Sequence, residues 1–449
     1  MEDIYYGLIA ACCLLALVNW RLGLYVGLFI DVLRDPIRKI SEEQSVAITL
    51  AGALVWGCVL IAGVAAHQSE WRMLFRRYAQ LRLIGVCVVL AIVPAALLST
   101  LLYPRGYVLA AMGIASYVVP LCTIALGFVC IRDEREIYRL LRFYSLINAI
   151  MLLSVPLEYF GSDVPGLGGI KTEWIRYRGG GETDVKLIAG WYRSPDIMGL
   201  HAAHVMMFSA MLAIRGRPTG RIGWLALMAW AGYGLLLCGR RKMIGIPLVF
   251  VAAYSQLSAM QGMYRARRML GFGIALLLLV VAGGLTLWED SLGDEYGDYA
   301  ASIFTESHTR INDLVIGSAI GTLQQAGVLG AGLGTAMQGR YYVNVNTSRD
   351  NRGWQEDGLS KMLLEFGLPG LLLMLLAGAA LVSAMFAALR LVRPGSSVLL
   401  LQIGLMSVVA GDAASFVISH QQFSGDPVSG MLVMIMVGIV LGAPRAFAL

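Results

Sequence analysis

Apolar residues run along this chain in long blocks, and the polar residues gather between them. Blocks of the length that crosses a bilayer, about 20 mostly apolar residues, fall near 45–66, 82–102, 106–130, 143–160, 196–214, 222–238, 243–259, 268–287, 361–389, 397–419 and 427–443. The first 33 residues hold one more such block, or two short ones divided at Asn19-Trp20-Arg21. The pattern predicts an all-α polytopic membrane protein with about 12–13 transmembrane helices. Its longest polar interruption is a large extracytoplasmic loop between the spans near 268–287 and 361–389. Within that loop Ile311, Leu314, Val315, Ala319 and Leu323 recur at helical spacing, which argues for an ordered working surface. Four stretches follow: a scaffold at 1–160, a core with arginine-bearing outer loops at 161–287, the loop domain at 288–357 and C-terminal helices at 358–449.

Composition agrees, since 58% of the 449 residues are hydrophobic, only 14% are charged and the mean hydropathy is +0.70. Soluble domains carry about 25% charged residues. The formal charge of +6 matters less than where the cations lie. Arg72, Arg76, Arg77 and Arg82, then Arg215, Arg217 and Arg221, then Arg265, Arg267 and Arg268, then Arg390 and Arg393 occupy alternate loops. Those loops are expected in the cytoplasm, and 161–195, 239–242, 288–357 and 420–426 outside. The first apolar run opens Met1-Glu2-Asp3 without a basic lead, so it reads as a retained helix. The seven cysteines lie in or at the ends of apolar runs, with no metal-site spacing, and read as small core residues.

Taken in order, Asp31 to Glu43 reads as a short mixed-charge connector, and His67 to Arg82 as a basic, aromatic-bearing segment suited to the membrane surface. Ile137, Leu140, Leu141 and Tyr144 share one face of an amphipathic lead-in. Gly161 to Arg193 is a glycine-rich outer loop closing on Gly190-Trp191-Tyr192-Arg193-Ser194-Pro195-Asp196, with Pro195 placed to start a helix and Arg193 at its mouth. His201 and His204 share a helix face, and interhelical hydrogen bonding explains them better than a metal. Arg240, Arg241 and Lys242 crowd an outward turn against the positive-inside trend, so an anionic ligand is expected to compensate them. Gly330-Ala331-Gly332-Leu333-Gly334 lacks the βαβ context of a dinucleotide site, and its glycines suit close approach to a ligand or a neighbouring helix. Arg340, Arg349 and Arg352 follow among aromatics, then Glu356 and Asp357 at a helix start. Asp412 is an ionisable residue inside a span, which marks a functional position by default.

Arg193 before a proline-led span, the Gly239-Arg240-Arg241 turn, Arg310 opening the large loop, the 330–334 glycines and Leu364-Glu365-Phe366-Gly367-Leu368-Pro369-Gly370 together resemble the O-antigen ligase and polymerase superfamily over roughly 140–390. The ligases carry a His-Asn pair about nine residues before the Glu-x-Gly, where this chain has Glu356 and Asp357. That departure favours the polymerase branch of bacterial surface-polysaccharide enzymes. The resemblance implies metal-independent glycosyl transfer from a polyprenyl-pyrophosphate-linked oligosaccharide, without cofactor, nucleotide or nucleic acid, at the outer face of the bacterial inner membrane. It implies a lipid-embedded enzyme working beside flippase and chain-length regulator proteins. Arg310, Arg193 and Arg240 or Arg241 would stabilise the departing pyrophosphate, and Asp357 or Glu356 would act as general base. Arg340, Arg352 and Asp412 are further substrate-binding candidates. A ligase, or a lipid-linked glycan transporter, is the alternative; transporters usually show internal repeats, and none is visible here.

Overall fold

The computed structural model describes residues 2–41, 44–130, 133–170, 175–177, 184–215, 218–263, 271, 316–337 and 355–446. Among these, ten helices are long and apolar enough to cross a membrane, so the chain is an all-α polytopic membrane protein. The expected span near 268–287 lies outside the described residues, as do Arg310, Arg340, Arg349 and Arg352. Contacts divide the chain into two compact units, 1–66 with 130–305 and 394–411, and 67–129 with 306–393 and 412–449.

In the first unit the N-terminal block is two helices, α1 (Glu2–Val18) and α2 (Trp20–Ile40). They part at Asn19, whose side chain accepts the Leu22 N–H at 3.2 Å and so caps α2. With α3 (Val46–Ala66) they enclose a core of Tyr5, Ile9, Cys12, Ile30, Ile48, Ala51 and Val55. The connector expected over 31–43 is largely the last turns of α2: Asp31, Arg34 and Asp35 are buried, and Arg34 pairs with Asp31 at 2.5 Å and with Asp35 at 3.3 Å. Charges in helical register that satisfy one another need no loop to reach water.

After α7 (Glu134–Leu152) and the short α8 (Ser154–Tyr159) the chain makes one small hairpin, β1 (Ile175–Tyr177) antiparallel to β2 (Asp184–Lys186). Then follow α9 (Pro195–Arg215), α10 (Pro218–Leu237) and α11 (Arg241–Met260). α9 is the centre of this unit, buried at almost every position from Pro195 to Ala213, with α7, α10 and α11 packed against it. The predicted lead-in face holds, since Ile137, Leu140, Leu141 and Tyr144 are all buried. Tyr144 Oη lies 2.6 Å from His201 Nδ1 and 3.2 Å from His204 Nδ1, which is the interhelical bonding expected of that pair. Glu134 pairs with Arg215, joining the start of α7 to the end of α9 as antiparallel spans require.

The second unit contains α4 (Gln68–Arg77), α5 (Gln80–Leu102) and α6 (Gly106–Cys130, all but its last residue). After a gap it resumes with α12 (Ser318–Ala326) and α13 (Gly358–Arg390). From Asp412 it takes the last part of α14 (Ser397–Ile418), then α15 (Gln421–Gly425) and α16 (Pro427–Ala446). α6 and α16 touch through glycine: a Cβ on Gly127 would overlap the Ile435 carbonyl, and one on Gly438 the Ile124 carbonyl. Close backbone approach of this kind is how helices gain packing in a solvent as apolar as themselves.

Candidate functional site

The segment 188–198 of the first unit is fixed atom by atom. Glu158 Oε2 accepts the Ala189 N–H at 3.1 Å and the Gly190 N–H at 2.5 Å. Ser154 Oγ accepts from Trp191 at 2.8 Å, and Asp35 Oδ2 from the Arg193 N–H at 3.1 Å. Lys39 donates to the Gly168 carbonyl and, at 2.7 Å, to that of Gly190. Tyr192 donates to Asn148 Oδ1 at 3.0 Å and stacks on His201 at 5.2 Å. Gly190, at φ +59, turns the chain where any Cβ would strike Ser154 Oγ. Burial pushes the Lys39 ammonium down to about 8, against the pull of Asp35 and Glu158. The result is an arginine whose backbone position is over-determined, the arrangement that lets a side chain meet a ligand with little reorganisation. Glu158→Ala leaves two backbone donors unmet, and each costs about 1–3 kcal/mol. The expected outcome is lower thermal stability together with faster amide exchange at Gly190 and Arg193, read by mass spectrometry.

Two residues beyond the end of that loop, Pro195 opens α9 and Asp196 sits in its first turn. Asp196 is nearly buried and takes Lys242 Nζ at 2.7 Å on Oδ1 and Arg240 Nη2 at 3.3 Å on Oδ2. The 240–242 turn was expected to be compensated by an anionic ligand; for these two cations the compensating anion is instead an aspartate of the protein itself. A carboxylate at a helix N-terminus also faces the positive end of the dipole. Of Arg241 the backbone alone is described, at the start of α11.

In the second unit Asp357 is the N-cap of α13, accepting the Ser360 N–H on Oδ1 at 2.7 Å. It is 0% exposed, and Ser318 and Ser360 lie against its carboxyl. Burial holds its carboxyl above the ordinary aspartate range, although nearby Ser360 and Ser318 groups pull the other way. Glu356 beside it is exposed. Its carbonyl accepts the His420 N–H at 3.1 Å, and the ring of His420 places Nε2 2.9 Å from the Gln355 carbonyl and Nδ1 2.7 Å from Ser424 Oγ. Both ring nitrogens are thus engaged in holding this segment. Asp412 is buried within α14, in the same unit.

The glycine motif and the Glu-x-Gly motif turn out to be two halves of one joint. Gly367, at φ +67, interrupts α13 two residues before Pro369, which has no N–H and disfavours helix just ahead of it. The break frees the Leu364 carbonyl and the Leu368 N–H, which an unbroken helix would pair. Ala331 N–H takes the first at 2.7 Å, and the Val328 carbonyl takes the second at 2.8 Å. Inside a span such orphaned groups must find protein partners. Gly330, Gly332 and Gly334 all have positive φ, and an added Cβ would meet Gly367, Ser99 and Leu109 respectively. Ser99 Oγ donates to the Leu333 carbonyl at 2.7 Å. The glycines therefore serve approach to neighbouring helices.

One turn up α13, Glu365 Oε2 accepts from Lys361 Nζ at 2.7 Å and Tyr117 Oη at 2.6 Å, and its Oε1 accepts the Ala336 N–H at 3.2 Å. Asp357, Lys361 and Glu365 recur every fourth residue and form a buried charged stripe on one helix face. Sequence reading passed over Lys361 and Tyr117, although an i, i+4 ion pair in an apolar run was a visible signal. Of the candidates, Arg193 and Arg240 lie in the first unit, and Glu356, Asp357 and Asp412 in the second. No known family model matches the chain, and no curated protein matches it.

Proposed function

We propose that the chain is an integral-membrane glycosyltransferase that polymerises polyprenyl-pyrophosphate-linked oligosaccharide units into a surface polysaccharide, at the outer face of a bacterial inner membrane. The observation that carries this reading is Asp357, a wholly buried carboxylate that caps α13 through one oxygen and lies beside Ser318 and Ser360. Deprotonating a sugar hydroxyl calls for a base whose proton affinity lies above that of a solvated aspartate. Burial supplies it here.

In the step proposed, Asp357 takes the proton of the acceptor hydroxyl as its oxygen attacks the anomeric carbon. The bond from that carbon to the pyrophosphate oxygen breaks, and polyprenyl pyrophosphate leaves with the electron pair. The growing charge on the leaving group calls for guanidinium groups, and the candidates read from the sequence are Arg193, Arg240 or Arg241, and Arg310. Arg340, Arg352 and Asp412 are assigned to the saccharide. Acids at 356 and 357, where the ligases carry a His-Asn pair, favour polymerase over ligase.

Arg310→Lys keeps the charge and loses the two-pronged geometry that fits phosphate. Polymerisation by that variant is expected to fall by about 10²-fold or more, while Arg265→Lys, on the expected cytoplasmic side, stays near wild type. Equal rates for both variants and wild type in a glycan-polymerisation assay would discard the clamp.

A further inference from the structure

α4 is a helix of ten residues between the spans α3 and α5, joined to the first through His67 and to the second through Tyr78 and Ala79. Ten residues rise about 15 Å, half of what a bilayer core requires. With a span starting at each end, α4 must run along the membrane surface. Its inward side is fastened to the protein: Leu74 and Tyr78 are buried, Tyr78 Oη donates to the Leu441 carbonyl at 2.9 Å, and Glu70 takes His67 at 3.0 Å and Arg445 at 2.7 Å.

What remains outward is cationic. Arg72, Arg76 and Arg77 are exposed on α4, and Arg82 is exposed in the first turn of α5. Arg72 and Arg76 are one helical turn apart and share a strip. Between His67 and Cys130 the sequence contains a single acid, Glu70, which already bonds His67 and Arg445. Met73 and Phe75 are each 37% exposed beside the arginines. Guanidinium groups at the membrane surface with apolar side chains between them match a phosphate headgroup above an acyl chain.

We propose that this face of α4 is a docking surface for anionic phospholipid headgroups of the leaflet on which it lies. Tyr78 and Glu70 fasten the occupied helix to the C-terminal end of α16. The reading does not depend on the glycosyltransferase assignment.

The test uses the full chain with its native cysteines replaced and Ser69→Cys, an exposed position on α4, carrying a fluorophore. The protein is placed in phosphatidylcholine nanodiscs containing a small fraction of either phosphatidylglycerol or phosphatidylcholine that bears a nitroxide on the acyl chain next to the glycerol. Labelled phosphatidylglycerol is expected to quench several-fold more strongly, and the excess to shrink as salt is raised. Arg72→Gln, Arg76→Gln and Arg77→Gln together should erase the excess, the same three changes to lysine should keep it, and Arg390→Gln with Arg393→Gln should leave it intact. Equal quenching by the two lipids in the parent chain overturns the proposal, as does an excess that survives the glutamine triple or is lost equally in the Arg390 and Arg393 control.

Discussion

Asp357→Asn is expected to lower the rate of lipid-linked chain extension by about 10²-fold or more while the protein still inserts and folds. Asparagine caps a helix nearly as well as aspartate, so stability should change by less than about 1 kcal/mol. Glu356→Gln alters an exposed side chain, for which the expected stability change is within about 0.5 kcal/mol and turnover near that of wild type. The pH dependence has a defined sign. Burial raises the Asp357 carboxyl in the folded protein, so the folded state binds its proton more tightly than the unfolded state does. Its contribution to stability is fully present below the unfolded value and is lost as pH rises through the folded one. Wild type should therefore lose stability relative to Asp357→Asn as pH climbs through that window, whereas turnover should rise over the same window as the base ionises. Chain extension by Asp357→Asn within twofold of wild type would remove the carboxylate from the chemistry, and Asp412 would be the next candidate.

The glycine joint gives the largest expected effect on folding. Gly327 and Gly367 have nearly the same backbone torsion, φ +68 and φ +67, but an added Cβ meets nothing at Gly327 and overlaps the Val328 and Leu329 backbone at Gly367. Gly327→Ala should cost about 1–3 kcal/mol, because φ +68 with ψ −174 is backbone that essentially only glycine adopts. Gly367→Ala adds a collision with main chain that cannot move aside, and a loss above about 4 kcal/mol, or failure to accumulate in the membrane, is expected. Thermal unfolding of the two purified variants makes the comparison. Equal shifts would mean that the 330–334 turn does not pack on α13 as described.

The spans were legible because an apolar run long enough to cross a bilayer has few other uses. The end of α2 was not, because Asp31, Arg34, Asp35 and Lys39 look like a solvated connector until their partners are known. Those partners include the Arg193 N–H and the Gly190 carbonyl, far along the chain. The compensation of Arg240 could be anticipated as a need but not as Asp196, since the acid stands on another helix. Glycine spacing at 330–334 announced close approach without naming Ser99, Leu109 or Gly367 as what is approached. Asp357 was legible as a helix start from its position before the apolar run. Its burial, which separates it from Glu356, comes from tertiary packing that local sequence does not encode.

The most direct test of glycosyl transfer uses the purified chain in lipid, a polyprenyl-pyrophosphate-linked oligosaccharide as sole substrate, a chelator to remove divalent metal, and no nucleotide sugar. Products are separated by size, and released polyprenyl pyrophosphate is quantified alongside them. The expected products are saccharides lengthened by whole repeat units, with one polyprenyl pyrophosphate released for each unit joined and a strong fall in both with Asp357→Asn. Movement of intact substrate across the bilayer with neither lengthening nor pyrophosphate release would contradict it and identify a transporter instead.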